Sequence, residues 1–188
     1  MEKELELHEQ KKRLRREITA RVRLLPAHAR AAASERITRQ VLALPQYRDA
    51  QSIFLYLSMP TEPDTRKLLS TALADGKRVY VPKCISDGEM LAVRIQSTDA
   101  LAPGAYGILE PVDCTETAPA DALDLILVPC VAASLDGRRL GHGKGYYDRF
   151  LQGNAEKAVC LCFAAALSDE IPTEPTDIRI PAVLSDGV

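Results

Sequence analysis

The sequence predicts an α/β fold: a single domain, residues 1–188, with a mostly parallel central sheet flanked by helices in three layers. Three observations carry this. Ile53 to Leu57, Leu125 to Val128 and Ala158 to Ala164 are apolar at every position, as expected of parallel strands covered on both faces. Stretches with helical periodicity or ample length separate them, long enough for the crossovers that parallel pairing needs. And 46% of the 188 residues are hydrophobic, enough for one good core.

In chain order, residues 1–10 read as a flexible lead. Lys11 to Leu25 reads as an amphipathic helix with Leu14, Ile18, Val22 and Leu25 on one stripe, ended by Pro26. Ala29 to Leu44 is a second helix, stopped by Pro45. After Ile53 to Leu57, Ser58, Met59, Pro60 and Thr61 turn at a strand's carboxyl end, the place where ligands sit in open α/β sheets. A helix from Thr65 to Asp75 ends at Gly76. Arg78 to Val81 is a strand ended by Pro82, with Lys83 just beyond. Glu89 to Ile95 alternates as a further strand, and Leu101 to Pro111 reads as a loop, as does Cys114 to Leu123. No repeats break this order, and the architecture it describes is Rossmann-like.

Composition narrows the function classes. A formal net charge of −2 gives no overall pull toward nucleic acid or anionic membrane. No apolar run approaches the roughly 20 residues that span a bilayer. The start, MEKELELHEQ, is acidic and polar, unlike a secretory signal or an Arg-rich transit peptide. Five cysteines show no paired metal spacing, and Cys130, Cys160 and Cys162 lie in apolar stretches as reduced, buried thiols. A cytoplasmic monomer with no membrane or nucleic-acid partner is expected.

The chemistry concentrates in Leu125 to Leu151. An apolar strand is stopped by Pro129; a loop ends in Gly141, Gly143 and Gly145 on alternate positions, with Lys144 between the last two. Apolar residues at helical spacing follow (Tyr146, Tyr147, Phe150, Leu151), closed by Gly153. Strand, glycine-rich loop, helix is an order that offers backbone N–H groups and a positive helix end to an anion, with an ammonium beside them. It is neither a Walker A loop, since Gly145 follows Lys144, nor a dinucleotide fingerprint, since no glycine stands three residues after Gly143. A tight connection using glycines for their backbone freedom alone gives the same spacing. Asp148, in the helix's first turn, favours the anion reading because a carboxylate there could hold the Mg²⁺ of a nucleotide. The basic residues Lys11, Lys12, Arg13, Arg15, Arg16 and Arg23 form either a solvated helix face or a second set of cations closing over phosphates.

RLGHGKGYYDRFL after DLILVP resembles the signature of the 5-formyltetrahydrofolate cyclo-ligase family, the 5,10-methenyltetrahydrofolate synthetases, which reads R-L-G-x-G-x-G-Y/F-Y-D after a strand ending in proline. Lys11 and Arg15 in KKRLR match the family's N-terminal K-x-x-L-R segment. SMPTEPDT matches S-x-x-x-E-x-x-T, and Gly107, Ile108, Glu110 and Pro111 match G-I-x-E-P. The resemblance runs from Lys11 to about Leu184. It implies ATP-dependent cyclisation of 5-formyltetrahydrofolate to 5,10-methenyltetrahydrofolate, with ATP as co-substrate and Mg²⁺ as cofactor.

The resemblance also implies site residues. Lys11, Lys12, Arg15, Arg139, Leu140, Gly141, His142, Gly143, Lys144, Gly145, Tyr146 and Tyr147 would bind ATP, with Lys144 and Arg139 as the catalytic cations. Leu57, Met59, Glu62, His142 and Tyr146 would bind the folate, with Glu62 on the pterin ring, whose N–H and amino group a carboxylate can accept from together. By itself Glu62 also reads as a helix N-terminal charge. Asp148 and Asp177 would hold Mg²⁺, although Asp177 alone also reads as an exposed turn residue. The chain departs from the pattern at Cys130 (family glycine), at Ala133 and Ser134 (an aromatic–Asp pair) and at Pro181 (a second Asp). Two other readings belong to different classes: a family fold that binds folate or nucleotide without turnover, and a basic-helix module that docks an acidic partner or RNA.

Overall fold

A computed structural model describes residues 2–104 and 108–187. The helices are α1 (Glu2–Arg23), α2 (Ala27–Ala43), α3 (Pro45–Asp49), α4 (Arg66–Ala74) and α5 (Tyr146–Phe150). The strands are β1 (Ser52–Leu55), β2 (Arg78–Ser86), β3 (Glu89–Ile95), β4 (Leu101–Pro103), β5 (Leu109–Pro111), β6 (Thr117–Ala118), β7 (Leu125–Val128), β8 (Ala132–Ala133), β9 (Arg139–Leu140), β10 (Ala158–Cys162) and β11 (Ala182–Ser185).

The central sheet has seven strands in the order β11-β10-β7-β1-β2-β3-β6. The first five run parallel, and β3 and β6 continue the sheet as antiparallel neighbours. β1, β7 and β10 are buried at every residue, which is why their sequences carry no polar alternation. The chain passes from β1 to β2 on one side and later returns to the other side of β1 as β7. That reversal makes the gap between the carboxyl ends of β1 and β7 the switch point where a ligand crevice opens. Phe54 of β1 then pins α5 over this end: its ring lies 5.0 Å from Phe150 and 6.3 Å from Tyr147.

The α/β architecture matches expectation; several boundaries move. α1 begins at Glu2, so residues 2–10 are its first turns and not a lead outside it, and it ends at Arg23. Ile18 and Val22 are fully buried, as their stripe required, while Leu24 is exposed. Pro45 does end α2, yet it also starts α3, because a proline's fixed φ suits a first helical position. Pro82 does not end β2. Past Tyr80 that strand pairs with β3 alone, and a proline is tolerated on such an edge. The stretches read as loops hold the β4–β5 pair and β6. Gly107 of the G-I-x-E-P match lies outside the described residues. The tail supplies a strand, β11, parallel to β10.

Cys130, Cys160 and Cys162 are buried and unbridged, as their apolar neighbours predicted. Among the described residues no helix is long and apolar enough to cross a membrane.

Candidate active site

A cleft of about 1320 Å³ opens at the switch point. Its walls are one face of α1, the segment after β1, the end of β2, the glycine-rich loop and the tail around Asp177. Each wall brings one kind of chemistry.

The glycine loop forms the floor. Gly143 and Gly145 sit at φ 98° and 67°, in the left-handed region that a side chain disfavours. At Gly141 the constraint is space: a Cβ would lie 2.9 Å from Arg139 Nη1. The helix that follows is shorter than the sequence suggested. With five residues, Tyr146–Phe150, α5 contributes only a small dipole, so the charge presented to an anion comes chiefly from side chains.

Among the described residues five Lys and Arg side chains line the cleft, Lys11, Arg15, Arg139, Lys144 and Arg149, and each has a protein partner. Lys11, buried, donates to Glu174 Oε2 at 2.7 Å and to Asp177 Oδ2 at 2.6 Å. Arg15 Nε donates to Gly141 O at 2.8 Å and its guanidinium lies over Gly143. Arg139, on β9, donates to Pro129 O and to Asp148 Oδ2, both at 3.1 Å, and stacks over the Tyr147 ring. Its Nε is buried with no hydrogen-bond partner among the described residues. Lys144, largely exposed, reaches across to Asp87 Oδ1 at 2.8 Å. That ammonium holds the Asp87 carboxyl below its usual range. An incoming polyanion therefore finds charges already positioned, with carboxylates and carbonyls keeping their places until it arrives.

Lys12 is the exception among the expected cations. It is one residue, about 100° of helix, from Lys11, and pairs with Glu9 at 3.5 Å on the solvent side, outside the cleft.

The cleft also holds an enclosed carboxylate. Glu62, 5% exposed, accepts from Met59 N–H at 2.8 Å on Oε2 and faces His142 Nε2 at 2.9 Å on Oε1. Leu57, Met59, Tyr146 and Tyr147 line the same cleft. Burial, with the Glu62 charge second, keeps the Tyr147 phenol far above its usual range and so protonated. Leu140 is buried beneath the loop and completes the floor.

Asp148 reaches the backbone beside Asp177. Asp148 Oδ1 accepts from the backbone N–H of Ile178, the residue after Asp177, at 3.2 Å. No group of three or more potential metal ligands stands among the described residues. Two carboxylates completed by phosphate oxygens and water nonetheless match the way Mg²⁺ is bound with nucleotides, so the donor set fits that ion.

Sequence reasoning missed several residues here. His8 lies one turn before Lys11 on the same helical face, inside the stretch read as a lead. Glu174 stands three residues before Asp177. Ser86, Asp87 and Gly88 at the β2–β3 turn receive Tyr146 Oη, Lys144 Nζ and Arg149 Nε, tying that hairpin to the loop. The departing positions Ala133 and Ser134 are wholly buried and satisfied. Ala133 pairs with Arg139 in the β8–β9 hairpin, and Ser134 Oγ donates to Asp136 while accepting from Arg138 N–H at 3.1 Å.

This geometry has known relatives. The 5-formyltetrahydrofolate cyclo-ligase family model matches residues 7–186. The 5-formyltetrahydrofolate cyclo-ligase of Mus musculus is 30% identical over 187 residues, covering 93% of this chain and 92% of its own. That of Escherichia coli K12 is 30% identical over 174 residues, covering 89% and 96%. The NMR structure of the Aquifex aeolicus 5,10-methenyltetrahydrofolate synthetase superposes with a TM-score of 0.84 at 30% identity, covering 95% of this chain and 90% of that one. The chain belongs to the 5-formyltetrahydrofolate cyclo-ligase family.

Proposed function

We propose that this chain converts 5-formyltetrahydrofolate and ATP to 5,10-methenyltetrahydrofolate, ADP and phosphate, the whole of residues 1–188 working as one domain. The observation that carries the reading is the single cleft in which a cation-lined glycine loop adjoins an enclosed carboxylate, Glu62, set in an apolar wall.

Arg15, Arg139, Lys144 and the loop amides of Gly141 to Gly145 receive the triphosphate, with Lys11 beside them. Leu57, Met59 and Glu62 hold the pterin, and Tyr146 supplies a ring surface between the two ligands. The formyl oxygen attacks the γ-phosphorus, ADP leaves, and the formyl carbon becomes an imidate phosphate. N10 closes on that carbon, its proton passes to solvent, and phosphate departs with the former formyl oxygen. The substrate supplies the nucleophile, so the protein's part is positioning and charge neutralisation. Arg139 and Lys144 are placed to offset charge that grows on the transferring group. Asp148 and Asp177 would hold Mg²⁺, which when bound neutralises phosphate charge. Lys11, already on Asp177, is placed to keep that carboxylate oriented.

We assign the chain to the cytoplasm as a monomer acting on small molecules. Its formal charge of −2 gives no overall attraction to nucleic acid or anionic membrane.

The test is turnover: methenyl product, followed by absorbance, forms only when MgATP is present. Ligand binding without product would instead leave a folate- or nucleotide-binding protein without catalysis.

A further inference from the structure

His142 belongs to the glycine loop by sequence and to the folate end by contact. Its ring Nε2 lies 2.9 Å from Glu62 Oε1, while Gly141 on one side is held by Arg15 and Gly143 on the other has the left-handed φ of 98°. The Glu62 side chain is 3% exposed and that of His142 is 44% exposed. Among the described residues the enclosed carboxylate has two hydrogen-bond partners, Met59 N–H on Oε2 and His142 on Oε1. The first is backbone and fixed; the second is a half-exposed side chain on a loop.

An enclosed carboxylate that loses a partner without replacement is costly, on the order of 1–3 kcal/mol or more. His142 can therefore leave Glu62 without that cost when another donor takes Oε1. A ring that presents an N–H and an amino group to a carboxylate supplies such a donor. Once released, the imidazole lies on the loop between Arg15 and Lys144, where its N–H can serve a phosphate oxygen. The exchange also runs in reverse: a phosphate in the loop draws His142 away and bares Glu62 for the ring.

From this contact we infer that His142 couples the two halves of the cleft, so that nucleotide and folate bind with positive cooperativity. His142 is a positioning residue in this scheme: it holds Glu62 until the folate arrives and then completes the phosphate cradle. The inference rests on the assignment of Glu62 to the folate and of the glycine loop to ATP. Because binding couplings are reciprocal, each ligand tightens the other by one common factor.

The test is calorimetric titration of the full chain with the non-hydrolysable MgAMP-PNP, with and without saturating 5-formyltetrahydrofolate, and then in the opposite order. In the wild type each ligand should tighten the other about tenfold, the middle of the range for coupled sites. In His142→Ala that factor should fall to about one, while His142→Gln, which can still donate to Glu62, should keep part of it. A merely structural role would lower both affinities and leave their ratio in place. Wild type that binds both ligands without coupling, or His142→Ala that keeps the coupling, overturns the inference and leaves the cyclo-ligase reading intact. Wild type that binds only one ligand, or neither, overturns both.

Discussion

Arg15 and Gly141 are 126 residues apart in sequence and meet through one hydrogen bond, Arg15 Nε to Gly141 O at 2.8 Å. The bond ties the first helix to the phosphate loop, so one side chain both shapes the loop and points a guanidinium into it. Arg15→Ala should raise the KM for ATP roughly tenfold, as expected for a lost charged hydrogen bond. The KM for folate should stay within about threefold, and retention on an RNA column should not move. A change confined to RNA retention would assign the helix to another partner. Steady-state kinetics with each substrate varied in turn decides it.

Lys144 faces Asp87 in the free protein and the triphosphate in the proposed complex. Lys144→Ala should cost about 2–4 kcal/mol of transition-state stabilisation, or roughly 30- to 1,000-fold in kcat/KM. Rates within about twofold of wild type would discard the role.

The same pair offers a readout free of turnover. Lys144 holds the Asp87 carboxyl below its ordinary range. MgAMP-PNP should draw Lys144 away and let Asp87 return upward, as should Lys144→Ala. An NMR titration of the Asp87 carboxyl measures this directly. A carboxyl that stays depressed with nucleotide bound would mean Lys144 never leaves it.

Much of the fold was legible because β1, β7 and β10 announce themselves as unbroken apolar runs, and Gly141 to Asp148 form one contiguous motif. What stayed hidden is of two kinds. β8 and β9 have two residues each and β11 is mostly half-buried, so none shows a period to read. Glu174 and Asp87 enter the site only through tertiary contact: Lys11 meets Glu174 across 163 residues, and Lys144 meets Asp87 across 57. Lys12 follows Lys11 in the motif but pairs with Glu9 outside the cleft, because adjacency in sequence ignores which face of a helix a residue occupies. Pro82 misled because a proline stops a central strand but not an edge.

Asp136 anchors the turn at the departing position Ser134. The Ser134 hydroxyl first, and the Arg138 guanidinium second, lower its carboxyl to about 2. A depressed folded-state value adds stability that is fully present above the unfolded value of 3.8 and is lost as pH falls through about 2. The melting temperature of Asp136→Asn should thus lie below wild type at pH 5 and converge on it toward pH 2. A gap constant over that window would show that the charge contributes nothing to the turn.

Glu62→Gln keeps an acceptor for Met59 N–H but replaces one carboxylate oxygen by an amide that cannot accept from the pterin. The KM for 5-formyltetrahydrofolate should rise by roughly ten- to a hundredfold, the range for losing a charged hydrogen bond in an enclosed site. Binding of MgAMP-PNP alone should not weaken, because His142 freed from Glu62 is available to the phosphates. Equal losses for both ligands would mean that Glu62 supports the cleft and does not read the folate.

In the proposed reaction one cleft lets the formyl oxygen take the γ-phosphoryl group before the ring closes. 5-Formyltetrahydrofolate carrying ¹⁸O in its formyl group, turned over with MgATP by the purified chain, tests this most directly. Methenyl product should form with the label in inorganic phosphate. Product formed with the label in water, or formed without ATP, would contradict it.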